Sequence, residues 1–105
     1  MNIVNVNKAK RFSVLFSLYI ATEADYDHAL NVGIIGENRG LSAREVRRIF
    51  QYLHEEGFIK EKDGGSDFHA SLTHKGVKSV EEVFLDLNRQ TYYFPAYAIM
   101  RKIAM

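Results

Sequence analysis

The sequence predicts a mainly α-helical protein with a small β-hairpin, an α+β fold with a three-helix core and further C-terminal helices. Three observations predict it. Apolar residues recur at i, i+3, i+4 and i+7 in several segments, as on the buried face of an amphipathic helix. A helix-capping motif opens the clearest of these segments at Ser42. A dense turn signal at residues 63–67 separates two short segments that can form strands.

Composition limits the classes of function that the chain can have. The 105 residues are 47% hydrophobic with a net charge of +1, which is normal for a globular domain and only weak support for nucleic-acid binding. The absence of cysteine excludes disulfides, thiolate metal sites and cysteine nucleophiles. We expect a cytoplasmic protein without a membrane span, because the apolar run at 12–21 is short and interrupted by polar residues.

The first predicted helix covers residues 8–22. Asn7 is a suitable residue to cap its N-terminus, and the polar segment that begins at Glu23 ends the pattern. One face of this helix is apolar and should pack in the core. The residues of that face are Phe12, Leu15, Phe16 and Tyr19.

A second, shorter helix is predicted over residues 31–38, with Val32 and Ile35 facing inward. Glycine in a helix interior costs about 1 kcal/mol relative to alanine. We therefore expect Gly36 to offset that cost by allowing another helix to approach closely. Gly40 is a natural stop after the helix.

The third helix, over residues 42–56, has the clearest signals. Ser42 and Glu45 form the S-x-x-E pattern of a capping box, and Gly57 ends the helix. Its inward stripe should join the following strands in a single core. We expect that core to contain Val46, Ile49, Phe50, Leu53, Ile59 and Leu72.

The C-terminal half predicts a hairpin and further helices. Segments 58–62 and 68–72 predict the two strands, and Thr73 predicts the cap of a helix. Residues 88–105 are expected to form an apolar helical extension to a domain at 1–87. Its stripe allows two interpretations, packing against the first helix of the same chain or a homodimer interface, and we favour the dimer. The stripe is Ala96, Ile99, Met100 and Ile103, and the Thr73 helix carries Val77, Val80, Val83, Phe84 and Leu87.

Three short sequence segments, in their order along the chain, resemble the winged helix-turn-helix transcriptional regulators of bacteria and archaea. In that superfamily a capped recognition helix is followed by a glycine-containing wing and a Leu-Thr-x-Lys-Gly start of the next helix. The resemblance covers residues 8–87 and implies a DNA-binding function, although alanine is more usual where Gly36 stands. The segments are Leu41-Ser42-Ala43-Arg44-Glu45-Val46, Tyr52-Leu53-His54-Glu55-Glu56-Gly57-Phe58-Ile59 and Ser71-Leu72-Thr73-His74-Lys75-Gly76.

The resemblance and the helical periodicity together predict the residues of a DNA interface. The helix at 42–56 would lie in the major groove of double-stranded DNA, and the wing at 60–69 would follow the phosphate backbone. Arginine and glutamine suit phosphate and base contacts, because both can make paired hydrogen bonds. The predicted DNA-binding residues are Ser42, Arg44, Arg47, Arg48, Gln51, Arg39, Lys60, Lys62 and His69.

Other functions have weaker signals. The arginines could be an ordinary solvated helix face, and the domain could be a protein-interaction module that does not bind DNA. The four histidines have no metal-ligand spacing, and neither a nucleophile motif nor a phosphate-binding glycine loop occurs. We therefore expect no enzyme activity, no cofactor and no metal.

Overall fold

The computed structural model describes residues 2–63 and 68–103. Within them, five helices and a three-stranded antiparallel sheet confirm the mainly helical α+β fold. The predicted turn at 63–67 falls largely outside the described residues. The elements, in chain order, are α1 Ile3–Thr22, β1 Leu30–Asn31, α2 Val32–Asn38, α3 Ala43–Glu55, β2 Ile59–Glu61, β3 His69–Leu72, α4 His74–Val83 and α5 Tyr97–Ile103.

The start of α1 corrects the sequence prediction. The helix begins at Ile3, and its cap is Asn2 rather than Asn7; the Asn2 side chain accepts a hydrogen bond of 2.8 Å from the backbone N–H of Val4. Ile3 and Val4 are exposed, so the added turn has no buried apolar stripe for periodicity to detect.

The sheet contains one strand that the sequence did not reveal. The strand order is β1-β3-β2, and β1 pairs with β3 through Leu30 opposite Ala70. A strand of two residues is too short to show alternation, which explains why it was missed. Its second residue, Asn31, also caps α2 by accepting a hydrogen bond of 3.1 Å from the N–H of Ile34. β1 therefore ties the start of α2 to the sheet.

All six residues of the predicted core are buried, and five of them share one cluster, whereas Val46 packs outside that cluster against Gly36 of α2. α3 packs between α1, α2 and the sheet, and Leu53 is fully buried at its centre. A methyl group added at Gly36 would lie 2.3 Å from Cγ2 of Val46, so glycine does allow α2 and α3 to approach closely. The buried residues that were predicted to share this core are Val46, Ile49, Phe50, Leu53, Ile59 and Leu72.

The C-terminal helices are shorter than predicted. α4 ends at Val83 with Phe84 as its cap, so Leu87 lies beyond the helix and is exposed. The predicted helix over 88–105 is wrong: residues 88–96 are irregular, with the N–H of Thr91 bonded to the carbonyl of Phe94, and among the described residues of this segment only Tyr97–Ile103 is helical. Pro95 precedes the helix, where its missing N–H costs no helical hydrogen bond.

The tail packs against its own chain. Phe94 is buried between two aromatic rings, with centroid distances of 5.1 Å to Phe12 of α1 and 5.9 Å to Phe58. Met100 is fully buried, whereas Ile99 is 48% exposed, so the predicted four-residue stripe does not form one buried face. The intramolecular alternative accounts for most of the apolar character of the tail.

Candidate nucleic-acid interface

The capping box that was predicted for α3 forms. The N–H of Glu45 donates to Oγ of Ser42 at 3.2 Å, and the N–H of Ser42 donates to Oε1 of Glu45 at 3.3 Å. Both bonds satisfy donors that would otherwise be unpaired at the helix start. The observed contacts of Ser42 therefore fix where α3 begins, which positions the arginines that follow.

The outward face of α3 carries the predicted basic residues. With 3.6 residues per turn, burial of the stripe from Val46 to Leu53 turns the opposite side of the helix to solvent. On that side the charge is positive toward the N-terminal end, and Glu55 lies at the other end. The exposed side chains of this basic face are Arg44, Arg47, Arg48 and Gln51.

The turn before α3 sets the angle between the two helices. Gly40 adopts a φ of 76°, and the N–H of Leu41 donates to the carbonyl of Gly36 at 3.0 Å. Positive φ favours glycine, because a Cβ would be strained there. The same turn holds Arg39, whose Nη2 and Nε donate to Oγ of Ser17 on α1 at 2.7 and 3.0 Å. Arg39 therefore lies on the α1 side of the interface.

An ion pair joins α1 to the start of α3. Nζ of Lys10 lies 2.8 Å from Oε2 of Glu45, and both side chains are about one-third exposed. This hydrogen bond, together with the one from the backbone of Ser42, lowers the pKa of Glu45 from its ordinary value. Lys10 thus compensates the single carboxylate within the otherwise basic segment from Arg39 to Arg48.

A second basic residue of α1 reaches α3, and the sequence analysis did not identify it. The guanidinium carbon of Arg11 lies 4.0 Å from the ring centroid of Tyr52, a cation–π distance. Burial raises the pKa of Tyr52 and the carboxylate of Glu56 raises it further, while the Arg11 cation acts in the opposite direction. The only indication of this contact in the sequence was that Lys10 and Arg11 lie beside the apolar stripe of α1.

The hairpin flanks the other side of α3, but its predicted basic residues face away from that helix. Nδ1 of His54 lies 3.5 Å from Oε1 of Glu61, so the edge of β2 next to α3 presents a carboxylate. Side chains alternate along a strand, and Glu61 pairs with Ala70. Lys60, Lys62 and His69 therefore share the opposite face of the hairpin.

The described residues show two further absences. Neither a group of three or more potential metal-ligating side chains nor a helix long and apolar enough to cross a membrane occurs within residues 2–63 and 68–103. In comparisons with known proteins, no family model, curated protein or solved structure matched the chain. The geometry of the interface therefore carries the functional argument.

Proposed function

We propose that the protein is a winged helix-turn-helix DNA-binding protein, a cytoplasmic transcriptional regulator. In this proposal α3 enters the major groove, and the segment 60–69 contacts the backbone as the wing. The order of helices and hairpin and the close contact between α2 and α3 at Gly36 are compatible with that fold.

One observation carries the proposal: three arginines and a glutamine project from a single exposed face of a rigidly held helix. Val46 and Leu53 anchor the opposite face in the core, so the basic face has a fixed direction. Arg47 lies two turns before His54 on the side of the hairpin, and Arg48 lines a cleft with α1. The face is therefore flanked by the hairpin on one side and by α1 on the other.

The test is a titration of fluorescent duplex DNA at several salt concentrations. Arg44→Ala combined with Arg47→Ala should flatten the plot of log K against log salt by about 0.9 for each lost phosphate contact. Lys78→Ala combined with Arg89→Ala removes the same charge from exposed positions on α4 and the loop after it. That control should retain the salt slope of the parent protein. An equal decrease of the slope in both double variants would contradict a localised interface.

A protein-interaction module is the second candidate function. An apolar groove of about 360 Å³ lies beside the start of α3, between Ile34 of α2 and Phe68 of the hairpin. The carboxylates of Glu55, the last residue of α3, and of Glu61, next to α3 on the hairpin, would also repel phosphate. If the protein has no salt-dependent affinity for duplex DNA, this second function is the better explanation of the exposed basic face and the neighbouring groove.

A homodimer formed through residues 88–105 stays a prediction. Burial of Phe94 and Met100 within the chain leaves Tyr92 and Ile99 as the exposed large apolar side chains among residues 88–103, the described part of this segment. Light scattering at high micromolar concentration measures the mass directly. The dimer predicts twice the chain mass of 12.1 kDa, and a monomer would contradict it.

A further inference from the structure

The side of α1 next to α3 carries a cluster of polar and basic groups. A cleft of about 110 Å³ separates the two helices, and its lining includes Asn7, Lys10 and Arg11 from α1 and Arg48 from α3. Glu45 also lines it, so three cations surround a single carboxylate that is already paired with Lys10 at 2.8 Å. The cleft therefore has an excess of positive charge next to the basic face of α3.

The geometry of each cation leaves donors for an anion. The Arg11 guanidinium carries five N–H donors, more than its contact with the single side chain of Tyr52 can occupy. The Lys10 ammonium has three donors, of which the bond to Glu45 takes one. The amide of Asn7, one turn before Lys10 and exposed, adds a neutral donor. These are the groups that proteins use to contact phosphate oxygens.

We infer that this cleft is a docking site for a phosphodiester of the DNA backbone, so that α1 binds the strand flanking the groove that α3 enters. The inference rests on the proposed function of α3 and extends it to a third element. Contacts on α3, the hairpin and α1 would fix the orientation of the protein on the duplex without reading sequence.

Two variants with matched controls test the site. Asn7→Asp adds a carboxylate to the cleft at an exposed position, whereas Asn88→Asp adds the same charge in the loop after α4. Like charges about 4 Å apart in water should weaken binding about fivefold at low salt for Asn7→Asp. Arg11→Met keeps an apolar contact with Tyr52 and should flatten the salt plot by about 0.9; Lys78→Met should not.

The outcomes separate the two proposals. Weaker binding by Asn7→Asp and a lower salt slope for Arg11→Met, with both controls like the parent, support the α1 site. If the parent binds duplex DNA and the α1 variants match their controls, the α1 site is wrong and the role of α3 stands. If the parent shows no salt-dependent binding, both proposals fail. Thermal melting of each variant checks that it is folded. If Arg11→Met is not folded, Asn7→Asp still tests the α1 site.

Discussion

Gly76 lies where the first turn of α4 passes directly over the start of the hairpin. A methyl group at this position would lie 2.1 Å from the carbonyl oxygen of Phe58 and 3.0 Å from its carbonyl carbon. Both are backbone atoms, so a side-chain rotation cannot relieve the clash. The same carbonyl accepts a hydrogen bond of 3.1 Å from the N–H of Thr73, the residue that caps α4. We therefore predict that Gly76→Ala displaces α4 from the hairpin.

The change in stability that Gly76→Ala causes is the balance of opposing free-energy contributions. Alanine is favoured over glycine in a helix by about 1 kcal/mol. Overpacking in a rigid region costs about 1–3 kcal/mol, and occasionally more. Stretching the Thr73 hydrogen bonds to Phe58 and Gly76 costs about 0.5–1.5 kcal/mol for each bond that is lost. If both hydrogen bonds are lost, the expected net loss is about 1–5 kcal/mol in the free energy of unfolding.

Chemical denaturation at neutral pH measures that loss, and thermal melting gives an independent estimate. A domain of this size should lose about 4–8 °C in Tm per kcal/mol. Lys78→Ala on the exposed face of the same helix is the control and should change stability by less than about 0.5 kcal/mol. Helix propensity alone predicts that Gly76→Ala stabilises the protein. A Gly76→Ala protein as stable as the parent, or more stable, would therefore show that the clash with Phe58 does not have the predicted cost.

Three further predictions concern the interior and the start of α3. Gly36→Ala should destabilise the protein because the added methyl group clashes with Val46, and Val46→Ala should relieve that clash. A double-mutant cycle should therefore show a coupling energy of about 0.5–3 kcal/mol between the two sites. Stability losses that simply add would contradict the contact. Leu53→Ala should cost about 2–5 kcal/mol in denaturation, and a loss below 1 kcal/mol would mean that the site is not buried. Because folding lowers the pKa of Glu45, its ionised carboxylate stabilises the fold when the solution pH is above 4.5, its ordinary pKa. This stabilisation is lost as the pH falls through the lower pKa of the folded state. The stability gap between the parent and Glu45→Gln should therefore shrink as the solution is acidified below pH 4.5, and a constant gap would argue against the Lys10 ion pair.

Much of the fold was predictable because its signals are local. The capping box of Ser42 and Glu45 and the apolar stripe after it specify α3 within a few residues, and α3 has the geometry expected of it. The outward basic face follows from the same stripe, since positions opposite a buried face must be exposed. Local signals of this kind require no knowledge of the rest of the chain.

What the sequence did not predict depends on contacts between distant segments. β1 is a two-residue strand whose existence depends on pairing with Ala70, about forty residues later. The burial of Phe94 depends on the space that Phe12 and Phe58 leave between them. The same is true of Arg11, whose contact with Tyr52 requires the packing angle between α1 and α3. Periodicity can mark a residue as buried, as it does Phe12, but neither periodicity nor a motif identifies the distant residue that it contacts.

The central claim is that α3 is the part of the protein that meets DNA. An amide NMR titration of the labelled protein with a random-sequence duplex tests it most directly, because each backbone N–H reports its own surroundings. If α3 meets DNA, the largest shift changes occur from Arg44 to Gln51 and at Lys60 and Lys62 of the hairpin, α4 is unchanged, and added salt reverses the changes. Changes confined to α4 and α5, or none at micromolar protein and low salt, would contradict the claim.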